Sequence, residues 1–114
     1  MLDQTVFRDL LAGGWVNLPY APFRDGITIS HLLEGTPAIA VLRYAPGAKA
    51  PLHEHVGAEM IVVLEGQQSD EYGTYAAGDM IINPPGSRHS VWSDTGCVVL
   101  LHWAQPVRFI DPGA

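Results

Sequence analysis

Turn-forming residues recur along this chain too often to leave room for long elements. Pro19 and Pro22, Asp25-Gly26, Gly35-Thr36-Pro37, Pro46-Gly47, Gly66, Gly78-Asp79, Pro84-Pro85-Gly86 and Asp94-Thr95-Gly96 all punctuate it. They break the chain roughly every eight to twelve residues, the spacing of short strands joined by tight turns. No stretch between them carries the 3.6-residue apolar period of an amphipathic helix. An all-β sandwich or closed barrel follows, and 114 residues fit one such domain. The alternation predicts strands over residues 15–18, 27–34, 38–45, 52–55, 59–65, 80–83, 89–92 and 97–103, with a further edge strand over 106–110. Residues 70–73 read as a hairpin turn. Residues 1–14 are left as an N-terminal extension, strand or single helical turn. The barrel is assigned to 15–110, and 111–114 to a loose tail.

The most apolar run, 59–65, places Glu59, Ile61 and Val63 on one face and Met60, Val62 and Leu64 on the other. Both faces then need cover. For the outer face this means another sheet or another subunit, and so predicts a homodimer. Glu59 opens this strand pointing inward, where an unpaired carboxylate is expensive. Just upstream, His53 and His55 are two residues apart and share a strand face. With His89 further along, three imidazoles and a carboxylate make the donor set of a divalent metal such as zinc, iron, manganese or nickel. Neutral imidazoles are the ligating form, so binding is expected to weaken as pH falls.

Two spacings resemble those of the cupin superfamily. Gly47, His53, His55, Glu59 and Gly66 are separated by five, one, three and six residues, as in its first motif. Gly78, Pro84, Gly86 and His89, separated by five, one and two, resemble the second. Ser93 stands where that motif usually ends in Asn, a departure that touches no ligand. The resemblance implies a double-stranded β-helix, a jelly roll of six to eleven strands, with one metal ion held inside by His53, His55, Glu59 and His89. A closer likeness, carried by LRYAPGAKAPLHEHVGAE, VLEGQQSDEYGTYAAGD and NPPGSRHSVWSDTGC, is to the C-terminal cupin domain of ChrR-type anti-sigma factors. In that family the cupin half holds a divalent metal, usually zinc, and takes part in responses to oxidants such as singlet oxygen. Its sigma-binding half is an N-terminal helical zinc domain, for which residues 1–14 are too few and the required Cys pair is missing. The likeness therefore implies the site and not the grip on a sigma factor.

Three kinds of function are compatible with such a site: a metal-dependent sensor or small-molecule-binding module, a dioxygenase or related enzyme, and a barrel merely stabilised by its metal. The enzyme would act on a small dicarbonyl, enol or phenolic compound, with the substrate or dioxygen at the metal. No general acid or base outside the ligand set can be named. The net charge of −6, with six scattered basic residues, argues against nucleic acid and anionic membranes as partners. The single Cys97 excludes an internal disulfide, and a cytoplasmic protein is expected. Cys97 itself is expected as a small buried hydrophobe, with Met60 and Met80 as packing. Glu54 and Glu65 are expected in solvent, and His31 and His102 as core or surface histidines. Arg88 is read as a surface residue in preference to an anion contact at the barrel mouth. Trp15, Tyr44, Trp92 and Trp103 are placed at the cavity or the dimer seam without a choice between them.

Overall fold

The computed structural model describes residues 3–110. Ten strands follow two single-turn 3₁₀ helices, Leu10–Ala12 and Gly14–Asn17. They are β1 (Ala21–Arg24), β2 (Ile27–Leu33), β3 (Ala38–Tyr44), β4 (Lys49–Glu54), β5 (Glu59–Asp70), β6 (Gly73–Ala76), β7 (Met80–Asn83), β8 (Arg88–Trp92), β9 (Cys97–Trp103) and β10 (Arg108–Phe109). Every pairing is antiparallel. Among the described residues there is no α-helix, and no helix is long and apolar enough to cross a membrane. The protein is an all-β cupin jelly roll, as its turn spacing and motifs predict.

The long strand β5 joins the two layers. Its first part, from Glu59, pairs with β9 and β7 in a sheet that continues through β3 to β2 and β1. Its last residues pair with β6 and β8 in a second sheet that continues through β4 to β10. The crossing is made at a bulge between Val63 and Glu65 and at Gly66. Gly66 has φ +74°, and a Cβ there would overlap the carbonyl oxygen of Gly96. No other residue type fits both demands. Between the layers lies the main core, with Ile27, Leu42, Ile61, Val63, Val91, Val99 and Leu101 among its buried members.

Two expectations are corrected here. Residues 15–18 are not a strand: Gly14–Asn17 forms a 3₁₀ turn, which Leu18 N–H closes onto the Trp15 carbonyl. Tyr20 Oη donates to the same carbonyl at 2.7 Å. Burial overrides strand propensity, because the turn lets Trp15 pack on Val41 and Val98 across the outer face of the first sheet. Pro22 does not end a strand either. It lies within β1, an edge strand whose register slips between Pro22 and Arg24, the setting in which proline is tolerated.

The Trp15 cluster also bears on the cover expected from a second subunit. Leu64 and Leu100 pack against it, so the chain covers part of its own outer face. Towards β7 that face is more open: Met80 and Ile82 are 59 % and 67 % exposed. The stretch 70–73 is the predicted hairpin turn, linking β5 to β6. The tail assigned to 111–114 lies outside the described residues.

Candidate metal centre

His53 on β4 stands directly opposite His89 on β8 in the antiparallel register. His55, just past the end of β4, is pinned by backbone bonds in both directions: its N–H donates to Ser87 O at 2.9 Å and its carbonyl accepts from Gly86 N–H at 2.7 Å. One ring nitrogen of each histidine lies within 4.8 Å of the others, and all three residues are buried. Ring centroids are 4.7 to 5.1 Å apart. Three of the four predicted ligands are thus brought together by strand pairing.

The outer bonds of the imidazoles fix which nitrogen is free. His53 Nδ1–H donates to the Pro51 carbonyl at 2.9 Å. His89 Nδ1–H donates to Asp70 Oδ2 at 3.0 Å. Ser87 Oγ donates to the Pro84 carbonyl at 2.6 Å, so at His55 Nδ1, 2.9 Å away, it accepts. In each ring the proton therefore sits on Nδ1 and the lone pair on Nε2. The Nε2 atoms of His55 and His89 are buried and have no hydrogen-bond partner. An orphaned buried acceptor costs about 1–3 kcal/mol, which a bound cation would recover.

Glu59, first residue of β5, stands to one side of the three rings. Its Oε1 lies 3.0 Å from His55 Nε2 and 4.0 Å from His89 Nε2. Asn83 Nδ2 donates to Oε1 at 3.0 Å, and Trp103 Nε1 donates to Oε2. Both donors are placed by the register, since Asn83 and Trp103 flank Glu59 on β7 and β9. Burial pushes the Glu59 carboxyl up, but the adjacent His55 ring and the bonds donated by Trp103 and Asn83 outweigh it and hold the group below its ordinary value. A carboxylate beside two unprotonated nitrogens is repulsive unless a cation or a proton lies between them. Burial is also the main reason that His53 sits below the ordinary imidazole pKa, against the opposing pull of the Pro51 carbonyl. The donor set therefore suits a divalent metal, bound by imidazole nitrogen with a carboxylate at hand.

Asp70, read from sequence only as the start of a turn, is part of this centre. Its Oδ1 accepts from the N–H groups of Tyr72 and Gly73 at 2.8 and 3.1 Å and from Tyr75 Oη at 2.8 Å, leaving Oδ2 for His89. Burial raises its pKa, yet the bonds from His89, Tyr72 and Tyr75 bring it below the ordinary carboxyl value. Simple alternation puts Asp70 on the face opposite Glu59. The bulge at 63–65 reverses that parity, turning Gln68 and Asp70 inward and leaving Glu65 exposed.

The other named residues fall into place around the centre. Arg88 and Arg108 are exposed and pair with Glu54 at 2.9 and 3.1 Å. Cys97 is buried in the core, where desolvation pushes its thiol up to about 11. His31 is exposed, and His102 is half-buried opposite Met60. Trp15 lies on the outer face, whereas Tyr44 and Trp103 line the cavity beside His53, Glu59 and His89. That cavity holds about 30 Å³, room for about one water molecule.

Comparison with known proteins identifies a family for the chain. The ChrR Cupin-like domain family matches residues 13–107. The anti-sigma-E factor ChrR of Cereibacter sphaeroides is 36 % identical over 87 residues, which are 74 % of this chain and 41 % of that protein. The chain thus spans about two-fifths of the length of this curated relative. In the crystal structure of Rhodobacter sphaeroides SigE in complex with ChrR, the match has a TM-score of 0.71 at 24 % identity, covering 77 % of this chain and 49 % of that one. An acetylacetone dioxygenase from Acinetobacter johnsonii aligns with a TM-score of 0.77 at 20 % identity, over 82 % of this chain and 73 % of that one. A putative acetylacetone dioxygenase from Methylibium petroleiphilum reaches 0.80 at 17 % identity, over 99 % and 88 %. At these identities the structural matches speak for the fold alone. The family match spans most of the chain and includes every residue of the centre: this protein belongs to the ChrR cupin-like domain family.

Proposed function

We propose that this protein binds one divalent metal ion per chain through His53, His55, His89 and Glu59, and acts as a ChrR-like metal-dependent sensor or small-molecule-binding module. The observation that carries the reading is the set of three buried imidazoles, each hydrogen-bonded outward at Nδ1, with one ring nitrogen of each within 4.8 Å of the others. Glu59 is included because its Oε1 stands closest to two of those nitrogens. A bound metal would supply a Lewis-acidic centre with positions left for water, dioxygen or an oxygen-donor ligand. Around it, Pro51, Ser87 and Asp70 orient the rings, and Asn83 and Trp103 hold the carboxylate. Leu42, Ile61, Val91 and Leu101 exclude bulk water. The proposed setting is the cytoplasm, as a homodimer formed through the exposed Met80–Ile82 end of the outer face.

Metal analysis of freshly purified protein by X-ray fluorescence and native mass spectrometry tests the reading. One zinc, iron, manganese or nickel ion per chain is expected, and none in His53→Ala. A chain that takes up no such ion when it is supplied is not a metal-binding cupin.

The alternative is a metal-dependent dioxygenase acting on a small dicarbonyl, enol or phenolic substrate, favoured by the cavity at the open side of the imidazoles. The room of about 30 Å³ beside the imidazoles favours binding over turnover. Dioxygen uptake with a panel of small diketones, by protein loaded separately with iron, manganese, nickel and zinc, separates the two. Uptake abolished in His53→Ala would establish the enzyme.

A further inference from the structure

Next to the metal cavity lies a second hollow of about 280 Å³, which shares Phe23, Trp103, Val107 and Phe109 with it and extends to His31 and Ala38. No Asp, Glu, Lys or Arg lines this outer hollow, and the polar side-chain groups on its wall are the His31 ring and the Trp103 N–H, which is engaged by Glu59. The inner cavity has room for about one water, so a larger ligand reaching the imidazoles must keep most of its body elsewhere. The shared wall puts that body in the outer hollow. Two of the four shared residues can yield without disturbing the core, since Phe23 is 39 % and Phe109 37 % exposed. Phe109 stands on β10, only two residues long, with its ring centroid 5.5 Å from that of His53 and the Arg24 guanidinium 3.8 Å from its centre. It forms the partition between the two spaces on an element held by few bonds.

We propose that the outer hollow is a subsite for the uncharged aryl or branched-alkyl tail of an oxygen-donor ligand whose head reaches the histidine cluster past Phe109. The proposal rests on the metal-binding reading above. A cavity of about 150 Å³ accepts benzene, so about 280 Å³ accommodates a ring with a short substituent. The uncharged walls select against an ionised tail, which would lose its hydration without a partner.

The test uses cobalt(II)-loaded protein with benzohydroxamate and acetohydroxamate, which share a chelating head and differ in phenyl for methyl. Burial of the phenyl ring should make benzohydroxamate bind at least about tenfold more tightly, read from the cobalt d–d spectrum. Ala38→Phe, which fills the hollow beside Trp103, should shrink that preference to about twofold or less and leave acetohydroxamate binding unchanged. His31→Trp narrows the same hollow from its exposed rim and gives the same answer if A38F does not fold. Equal affinities in the unmodified protein, as expected if a segment of a second copy occupies the hollow, overturn the subsite and leave the metal centre standing. So does a preference that survives filling. Failure to take up cobalt, or a spectrum indifferent to both hydroxamates, overturns the metal centre and the subsite with it.

Discussion

At the scale of single residues, the bond between Asp70 and His89 decides how the centre presents its lone pairs. Replacing Asp70 by Asn keeps the shape but removes the charge that orients the ring and raises its basicity. Metal affinity is expected to fall about 10–100-fold, measured by chelator competition, with the far-ultraviolet circular dichroism unchanged. Glu54→Ala removes a carboxylate that pairs only with Arg88 and Arg108 at the surface, and should leave the affinity as it is. Two of the groups held below their ordinary values, His53 and Asp70, give the pH dependence its sign. His53 has a folded pKa below its ordinary value of about 6.5, so its contribution is whole above that pH and is lost as pH falls through the folded value. Asp70 is likewise depressed, and its contribution, whole above about 3.9, disappears as pH falls through its own lower value. Metal-free protein titrated by thermal melts should therefore begin to lose stability below about pH 6.5 and lose more below about 3.9. A melting temperature flat across that range would contradict the assignment. The grouping of His53 and His55 was legible because their spacing is local, and that of His89 because it ends a second spaced motif. Asn83, Trp103 and Ser87 were not, since they reach the centre through strand pairing and a turn that spacing alone does not reveal.

At the scale of elements, β9 and the first part of β5 were readable because continuous apolar runs between turns permit little else. The 3₁₀ turn at Gly14–Asn17 was not, since only the sheet beneath Trp15 makes that conformation worthwhile. Trp15→Ala should cost about 3–5 kcal/mol by stripping the cover from Val41 and Val98, seen as a lower denaturant midpoint. The bulge in β5 was equally hidden: strict alternation over 59–70 gives the wrong parity to the residues after Leu64, among them Glu65, Gln68 and Asp70. Its companion Gly66 is expected to be intolerant of change. Gly66→Ala should destabilise by about 2–3 kcal/mol, from the left-handed backbone and the collision with Gly96 O. Gly78→Ala, at φ +95° but with nothing near its Cβ, meets no such collision and should cost less.

At the scale of the whole molecule, binding of the proposed metal would be linked to folding. An ion that binds the folded chain alone, at a hundred times its dissociation constant, adds about 2.7 kcal/mol. For a domain of this size that raises the melting point by about 10–20 °C. A chelator should reverse the rise, and His89→Ala should never show it. No rise on supplying zinc, iron, manganese or nickel would mean that the imidazoles hold no ion. The strand β5 gives this linkage a direction. It carries Glu59 at its start in one layer and Asp70 at its end in the other, with the kink at Gly66 between them. An occupied centre therefore clamps both ends of a single bent ribbon, and withdrawal of its ion would free the ribbon to flex at the kink. Faster amide exchange near Gly66 on chelation would then report, some way from the histidines, that the clasp had opened.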